Sequence, residues 1–197
     1  MCGRVGPAPC GACARELERA PSLPVPTGVD ACAVVLAYDG AGRELVARLK
    51  YRNARGTIRW LAVHMAALVD AGDVDIVTWV PTTGARRRRR GFDQAELMAR
   101  AVARNLHRPC RALLTRGAGP PQTGRSLQDR RAGPALAARP TGAHIRVLLV
   151  DDVITTGTTV TVAARVLRAA GFSGISVVAA ARTPLKRARS RSDTSQE

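Results

Sequence analysis

Val147-Leu148-Leu149-Val150-Asp151-Asp152-Val153-Ile154-Thr155-Thr156-Gly157-Thr158-Thr159 is the stretch whose reading decides the fold. Residues 145–150 form a β-branched and leucine run, which suits a central parallel strand buried on both faces. Asp151 and Asp152 follow at its carboxyl end, then a turn rich in threonine and glycine. A helix is expected from about Val160 to Ala170, closed by Gly171. At the carboxyl edge of a parallel sheet such a loop opens into the ligand crevice. The helix that follows presents unbonded backbone N–H groups and the positive end of its dipole, which suits a phosphate. Gly157 has no Cβ to hold the backbone away from that anion. The hydroxyls of Thr155, Thr156, Thr158 and Thr159 add short donors around it. Asp151 and Asp152 can accept from vicinal hydroxyls or hold Mg²⁺ through water. One end therefore binds a phosphate and the other a diol, and a ribose 5-phosphate matches both.

Outward from this motif, strands and helices alternate. Residues 75–80 read as a buried strand ended by Pro81. A loop with five consecutive arginines, Arg86 to Arg90, leads to Gly91-Phe92-Asp93, and Asp93 is a plausible N-cap for a helix to about Asn105. A short strand at 112–114 enters a polar stretch, 115–141, broken by repeated glycines and prolines. A structureless segment of that length inside a compact domain reads as a functional loop or lid. Towards the N-terminus, a strand is expected at 32–38, a turn at Asp39-Gly40, and helices at 43–51 and 58–69; the last strand is expected at 175–181. This order predicts an α/β fold with a mainly parallel central sheet flanked by helices. Residues 1–30, rich in Gly, Pro and Cys, read as a small appendage with Pro21, Pro24 and Pro26 in its linker. The basic, serine-rich tail beyond Pro184 reads as disordered.

Composition narrows the classes. With 46% hydrophobic residues over 197 positions, the chain can bury a real core, which excludes disorder over its whole length. No apolar run reaches the ~18–20 residues of a membrane span, and no charged–apolar–cleavage pattern opens the chain, so a cytoplasmic protein is expected. There are 31 basic residues against 15 acidic ones, a formal net charge of +16. All the bases except Lys50 and Lys186 are arginine, a bias that fits a GC-rich genome. The excess over acids points to anionic partners. Only 3% of residues are aromatic, which argues against a stacking platform for single strands and favours phosphate contacts.

Val147 to Thr159 resembles the signature of the type I phosphoribosyltransferases, which bind phosphoribosyl pyrophosphate (PRPP). Leu49-Lys50-Tyr51-Arg52, Val80-Pro81, Arg90-Gly91-Phe92-Asp93-Gln94-Ala95, Gln122 to Arg130 and Ala181-Arg182-Thr183-Pro184 resemble the ComF (GntX-like) competence family. The likeness spans about residues 2–185. Asp93 departs from that family's usual Asn, a change that alters one hydrogen bond. The resemblance implies a type I phosphoribosyltransferase fold at 31–184, a zinc-ribbon-like cysteine module with its linker at 1–30, and a basic tail at 185–197. It implies that Asp151 and Asp152 meet the ribose and Mg²⁺, and that Thr155, Thr156, Gly157, Thr158 and Thr159 cradle the 5′-phosphate. Pro81, Thr82 and Thr83 would form the pyrophosphate loop, with Arg86, Arg90 and Lys50 near it, and 115–141 would close over substrate. For Arg86 to Arg90 the alternatives are contact with a nucleic-acid backbone or a solvated loop; for Lys50, a plain surface lysine. The implied reaction displaces pyrophosphate at the anomeric carbon through an oxocarbenium-like transition state, shielded from water by the lid. No residue stands out as general acid or base. The family also implies a role in DNA uptake during natural transformation, with single-stranded DNA and competence proteins as partners. The rival reading is a non-catalytic adaptor or PRPP sensor that handles single-stranded DNA.

Five cysteines, an odd number without a secretion signal, speak against disulfides. Cys10-Gly11-Ala12-Cys13 has zinc-knuckle spacing. Structural zinc takes four ligands, and the family pattern is two such pairs. Cys2 matches the second member of the first pair, so the expectation is a Zn²⁺ site with Cys2, Cys10 and Cys13 and a fourth cysteine upstream of Met1. The alternatives are a degenerate site, or Cys32 as fourth ligand, although its apolar strand context reads as a buried thiol. Cys110, His64, His107 and His144 read as structural or surface residues.

Overall fold

The computed structural model describes residues 2, 9–22, 24–49, 55–117, 134–140 and 144–184. In chain order the elements are α1 (Gly11–Arg15), β1 (Ala31–Ala37), α2 (Gly40–Arg48), α3 (Arg55–Ala66), a short 3₁₀ turn (Ala71–Asp73), β2 (Ile76–Trp79), α4 (Gly84–Arg90), α5 (Gln94–Leu106), β3 (Leu114–Arg116), β4 (Leu136–Ala138), β5 (Arg146–Ile154), α6 (Thr158–Ala169) and β6 (Gly174–Arg182). Four strands make one sheet in the order β1-β6-β5-β2, and every neighbouring pair is parallel. The expected α/β architecture with a parallel central sheet flanked by helices is present, with a cysteine cluster at the N-terminal end.

The period-2 alternation of the central strands divides the core between two faces. Leu148 and Val150 of β5 and Val178 and Ala180 of β6 pack with α3 and α5. Val147 and Leu149 of β5 and Ile175, Val177 and Ala179 of β6 pack with Val160, Ala163 and Leu167 of α6. A strand covered on both faces must be apolar throughout, which is why residues 147–150 carry no polar side chain. Both sheet edges are covered. Arg19 bridges antiparallel to Leu36 beside β1, and Val77 of β2 bridges to Cys110.

Several elements differ from the sequence expectation. β5 runs on through Asp151 and Asp152 to Ile154, because pairing with β6 continues to Ile154 opposite Arg182. The five arginines lie in helix α4 instead of a loop. Arginine is a good helix former, and Gly91, at φ 78°, ends that helix with its N–H on the Arg87 carbonyl. The ends of the 115–141 stretch pair as an antiparallel ribbon, Leu114 opposite Ala138 and Arg116 opposite Leu136; residues 118–133 lie outside the described residues. Helix α2 begins at Gly40, three residues earlier than its apolar pattern suggests. It presses against the end of β1 so closely that a Cβ on Gly42 would lie 2.2 Å from the Ala37 carbonyl oxygen.

Candidate functional site

The carboxyl ends of β1, β2 and β5 converge on a cavity of about 600 Å³, within the ~300–1,000 Å³ range of small-molecule sites. The topology explains its place. Helix α5, before β5, lies on one face of the sheet and α6, after β5, lies on the other. The loops leaving β2 and β5 therefore part at the sheet edge and leave a crevice between them.

Asp151, Asp152, Thr155 and Thr159 line this cavity from the β5 side, and Pro81 and Thr82 line it from the end of β2. Asp151 is buried, and its Oδ1 accepts the Asp152 N–H at 2.9 Å. Asp152 repeats the pattern one residue on, accepting the Val153 N–H at 2.8 Å. Burial pushes the Asp151 carboxyl well above its ordinary value, and the charges of Asp152 and Asp93 push it further. Two hard carboxylates crowded at one strand end are a donor set that a divalent cation or ribose hydroxyls would relieve, so the pair fits Mg²⁺.

Gly157 is the cap residue of α6 and adopts φ 78°, a left-handed conformation. No side chain caps this helix. The Thr156 and Thr158 hydroxyls bond each other at 2.9 Å, and the Thr158 N–H makes only a long 3.4 Å contact with Thr156. A helix start in this condition keeps its N–H groups for an anion. Thr156 and Gly157 lie in the turn after β5, Thr158 opens α6 two residues before the expected start, and Thr83 follows β2; none of the four lines the cavity. Lys50, Gln122 to Arg130 and the tail beyond 184 lie outside the described residues, and so do the side chains of Arg86 and Arg90.

The cavity is also lined by Tyr38, Asp93 and Gln94, which the sequence reading does not place there, and by Arg116, from the start of the 115–141 stretch expected to close over substrate. Asp93 was legible only as a helix cap, a role it fills by accepting the Ala95 N–H at 3.1 Å. Its other oxygen accepts the Thr82 N–H at 2.9 Å. Arg116 reaches in from β3 and donates from Nη1 to the Pro81 carbonyl at 3.1 Å. A signal for Arg116 existed: period 2 along a strand puts it on the same side as buried Leu114.

At the N-terminal end, the sulfur atoms of Cys2, Cys10 and Cys13 all lie within 4.8 Å of one another. The Cys2 N–H donates to Cys13 Sγ at 3.2 Å, and Cys2 and Cys10 Sγ are 3.5 Å apart. The Cys13 backbone N–H, then the Cys2 thiol, lowers the Cys10 thiol to about 7. Three thiols held together, one of them ready to ionise, fit a thiophilic metal such as Zn²⁺ at three of its tetrahedral positions. Cys32 is not part of this cluster; burial pushes its thiol up. Among the described residues no helix is long and apolar enough to cross a membrane.

Comparison with known proteins gives a family match and several distant structural likenesses. The family described as "Phosphoribosyl transferase domain" matches residues 61–196. Among curated proteins no sequence matches the chain. An allosteric regulatory enzyme of purine biosynthesis is 22% identical over 68% of this chain and 30% of its own, with a TM-score of 0.45. A glutamine phosphoribosylpyrophosphate amidotransferase from B. subtilis, complexed with ADP and GMP, is 23% identical over 68% of this chain and 30% of its own, with a TM-score of 0.46. A purine phosphoribosyltransferase from Pyrococcus horikoshii is 17% identical over 65% of this chain and 74% of its own, with a TM-score of 0.45. The chain thus spans under a third of the length of the first two.

Proposed function

The chain belongs to the phosphoribosyl transferase domain family, and from that premise we propose that it binds PRPP with Mg²⁺ in the cavity at the ends of β2 and β5 and transfers the phosphoribosyl group with release of pyrophosphate. The observation that carries this reading is the meeting of Asp151 and Asp152 with Thr155 and Thr159 in one cavity. Asp151 and Asp152 accept the ribose hydroxyls. The loop from Thr155 to Thr159 takes the 5′-phosphate through its hydroxyls and the N-terminal amides of α6. Pro81, Thr82 and Thr83 face the pyrophosphate end, with Arg86, Arg90 and Lys50 as its further cations. Mg²⁺, when bound, neutralises the charge that gathers on the leaving pyrophosphate. This chain's residues fix the anomeric carbon between the two ends, so positioning and electrostatics supply the rate.

The likeness to the ComF family extends the proposal. In that reading, residues 1–30 are a zinc module held by Cys2, Cys10 and Cys13, residues 31–184 are the transferase domain, and the protein acts in the handling of single-stranded DNA. One observation favours a non-catalytic DNA-handling reading: helix α4 sets a run of arginines just past the β2 loop, with Arg87 and Arg88 exposed.

Calorimetric titration of PRPP and Mg²⁺ into the full chain, beside Asp151→Ala/Asp152→Ala, tests the leading reading. Saturable binding that the double variant loses supports it. No binding to the folded wild type overturns it and leaves the DNA reading, for which affinity should fall steeply with salt.

A further inference from the structure

The carbonyl of Pro81 and the N–H of Thr82 belong to a single peptide unit, which is planar and moves as one body. Arg116 holds the carbonyl pole at 3.1 Å, and Asp93 holds the N–H pole at 2.9 Å. Opposite charges thus grip the two poles of one peptide dipole, each with the sign that stabilises it. The second Asp93 oxygen is committed as well, to the Ala95 N–H at 3.1 Å. A carboxylate has two accepting oxygens, whereas an Asn amide has one. Only the acid can hold the β2 loop and cap α5 at the same time.

Both side chains also line the cavity, and Asp93 is only 6% exposed. Its charge therefore acts on a ligand through little water. It opposes an anion beside Thr82, and it already occupies the N–H that such an anion would take. Arg116 has the opposite effect on the same anion, and it ties the ribbon of β3 and β4 to the β2 loop. We propose that Asp93 and Arg116 are a positioning pair that grips the Pro81–Thr82 peptide and sets how tightly the cavity holds pyrophosphate, Asp93 weakening that hold and Arg116 strengthening it. The effect of Asp93 is to keep the Thr82 N–H turned away until an anion displaces the carboxylate, which favours release of the pyrophosphate product. The inference rests on the PRPP reading of the cavity.

The test titrates the full chain with Mg²⁺ and inorganic pyrophosphate, and separately with ribose 5-phosphate, which lacks the pyrophosphate group. Wild type, Asp93→Asn, Arg116→Gln and the double variant are compared, with thermal unfolding to show that each folds. Asn keeps the helix cap and removes the charge. Asp93→Asn is expected to bind pyrophosphate about fivefold tighter and Arg116→Gln about tenfold weaker, the scale of one charge-assisted hydrogen bond. Ribose 5-phosphate affinity should stay within about twofold, and the double variant should depart from additivity because the two side chains share one peptide. A merely structural pair would shift both ligands in the same direction. That result, weaker pyrophosphate binding by Asp93→Asn, or strict additivity would overturn the clamp while ribose 5-phosphate still binds. Failure of the wild type to bind ribose 5-phosphate at all would instead overturn the PRPP reading, and the clamp's role with it.

Discussion

Replacing Gly157 with alanine separates the backbone's part in the phosphate loop from that of its side chains. Gly157 sits at φ 78° at the start of α6. A Cβ there would lie 3.6 Å from Pro26 Cγ and 3.7 Å from Pro26 Cβ, which is ordinary contact. Steric overlap therefore contributes nothing, and the cost is conformational. An L-residue in the left-handed region costs ~1–2 kcal/mol, and alanine returns ~0.4–1 kcal/mol by stiffening the unfolded chain. The net loss is about 1 kcal/mol, or ~2–4 °C in Tm for a domain of this size. Binding should suffer more. If residue 157 relaxes to negative φ, the amides that follow turn away from the anion. One lost hydrogen bond to a charged group costs ~1.5–3 kcal/mol, about a ten- to hundredfold rise in Kd. Thermal unfolding and titration with ribose 5-phosphate give the two numbers. Gly157→Asn should lose less of both, because Asn tolerates the left-handed region. A Gly157→Asn variant worse than Gly157→Ala would refute the reasoning, since it would put the cost in the Pro26 contact and not in φ. So would a Gly157→Ala protein with unchanged Tm and affinity.

Gly42→Ala is the steric counterpart. Its Cβ would meet the Ala37 carbonyl oxygen at 2.2 Å, and that oxygen is backbone and cannot yield; a loss of about 3 kcal/mol is expected in urea unfolding. Asp75 accepts a bidentate pair from Arg146, Nε at 3.1 Å and Nη2 at 2.9 Å, and Arg146 lowers its carboxyl to about 2. The folded value lies below the unfolded ~3.9, so this contribution is present above the unfolded value and is lost as pH falls towards 2. Asp75→Asn should flatten the dependence of Tm on pH between about 4 and 2, and an unchanged acid limb would count against it. Asp151 is shifted the other way: burial first, then the Asp152 charge, raises its carboxyl. The folded state therefore holds that proton more tightly, and stability falls as pH rises from the unfolded value through the folded one. Asp151→Asn should raise Tm at pH 7 and abolish PRPP binding; a lower Tm would show that the carboxylate is not a local strain on the fold.

The sequence made the core of this arrangement legible wherever a local pattern coincided with a tertiary requirement. Residues 147–150 had to be apolar on both faces because helices cover both, so a continuous run identified the central strand. Asp93 read as a cap because capping is local. The end of β5 and the arginine segment differ from their sequence expectation for opposite reasons. β5 continues past Val150 through pairing with a distant strand, β6, which no local signal encodes. The charge of the five arginines suggests a loop, but their helix propensity and Gly91 decide their conformation. At the site, the motif marked one strand–loop–helix unit, of which Asp151, Asp152, Thr155 and Thr159 line the cavity and Thr156, Gly157 and Thr158 do not. Arg116 is covered only by the broad 115–141 expectation, and the motif does not reach Tyr38 and Gln94, which come from other elements and meet the cavity only through topology. The second Asp93 bond, to Thr82, is of the same kind.

The proline-rich stretch before β1 carries the same lesson into the energetics. Composition reads Pro21, Pro24 and Pro26 as a spacer, yet the segment from Pro24 to Asp30 is fastened along its length. Arg182 donates to the Pro24 carbonyl at 3.1 Å, and Arg168 donates to the Gly28 carbonyl at 3.2 Å and pairs with Asp30. Asp30 in turn takes the Ile175 N–H at 2.6 Å on its side chain and donates its own N–H to the Ile175 carbonyl at 2.9 Å. Pro24 and Pro26 have no N–H to satisfy; arginine side chains take the Pro24 and Gly28 carbonyls, and the N–H groups of Val29 and Asp30 bond the Pro26 and Ile175 carbonyls. Pro26 lies beside Gly157, whose left-handed backbone makes the turn into α6 that is proposed to take the phosphate. The glycine at 157 permits the left-handed turn into α6, while its contact with Pro26 would tolerate a methyl group. Arg168 and Arg182 hold the Pro24 to Asp30 segment mainly as hydrogen-bond donors to carbonyls, because the exposed Arg168–Asp30 pair contributes little in water. The arginine excess of this chain is therefore partly structural, and net charge by itself overstates the surface left for anionic partners.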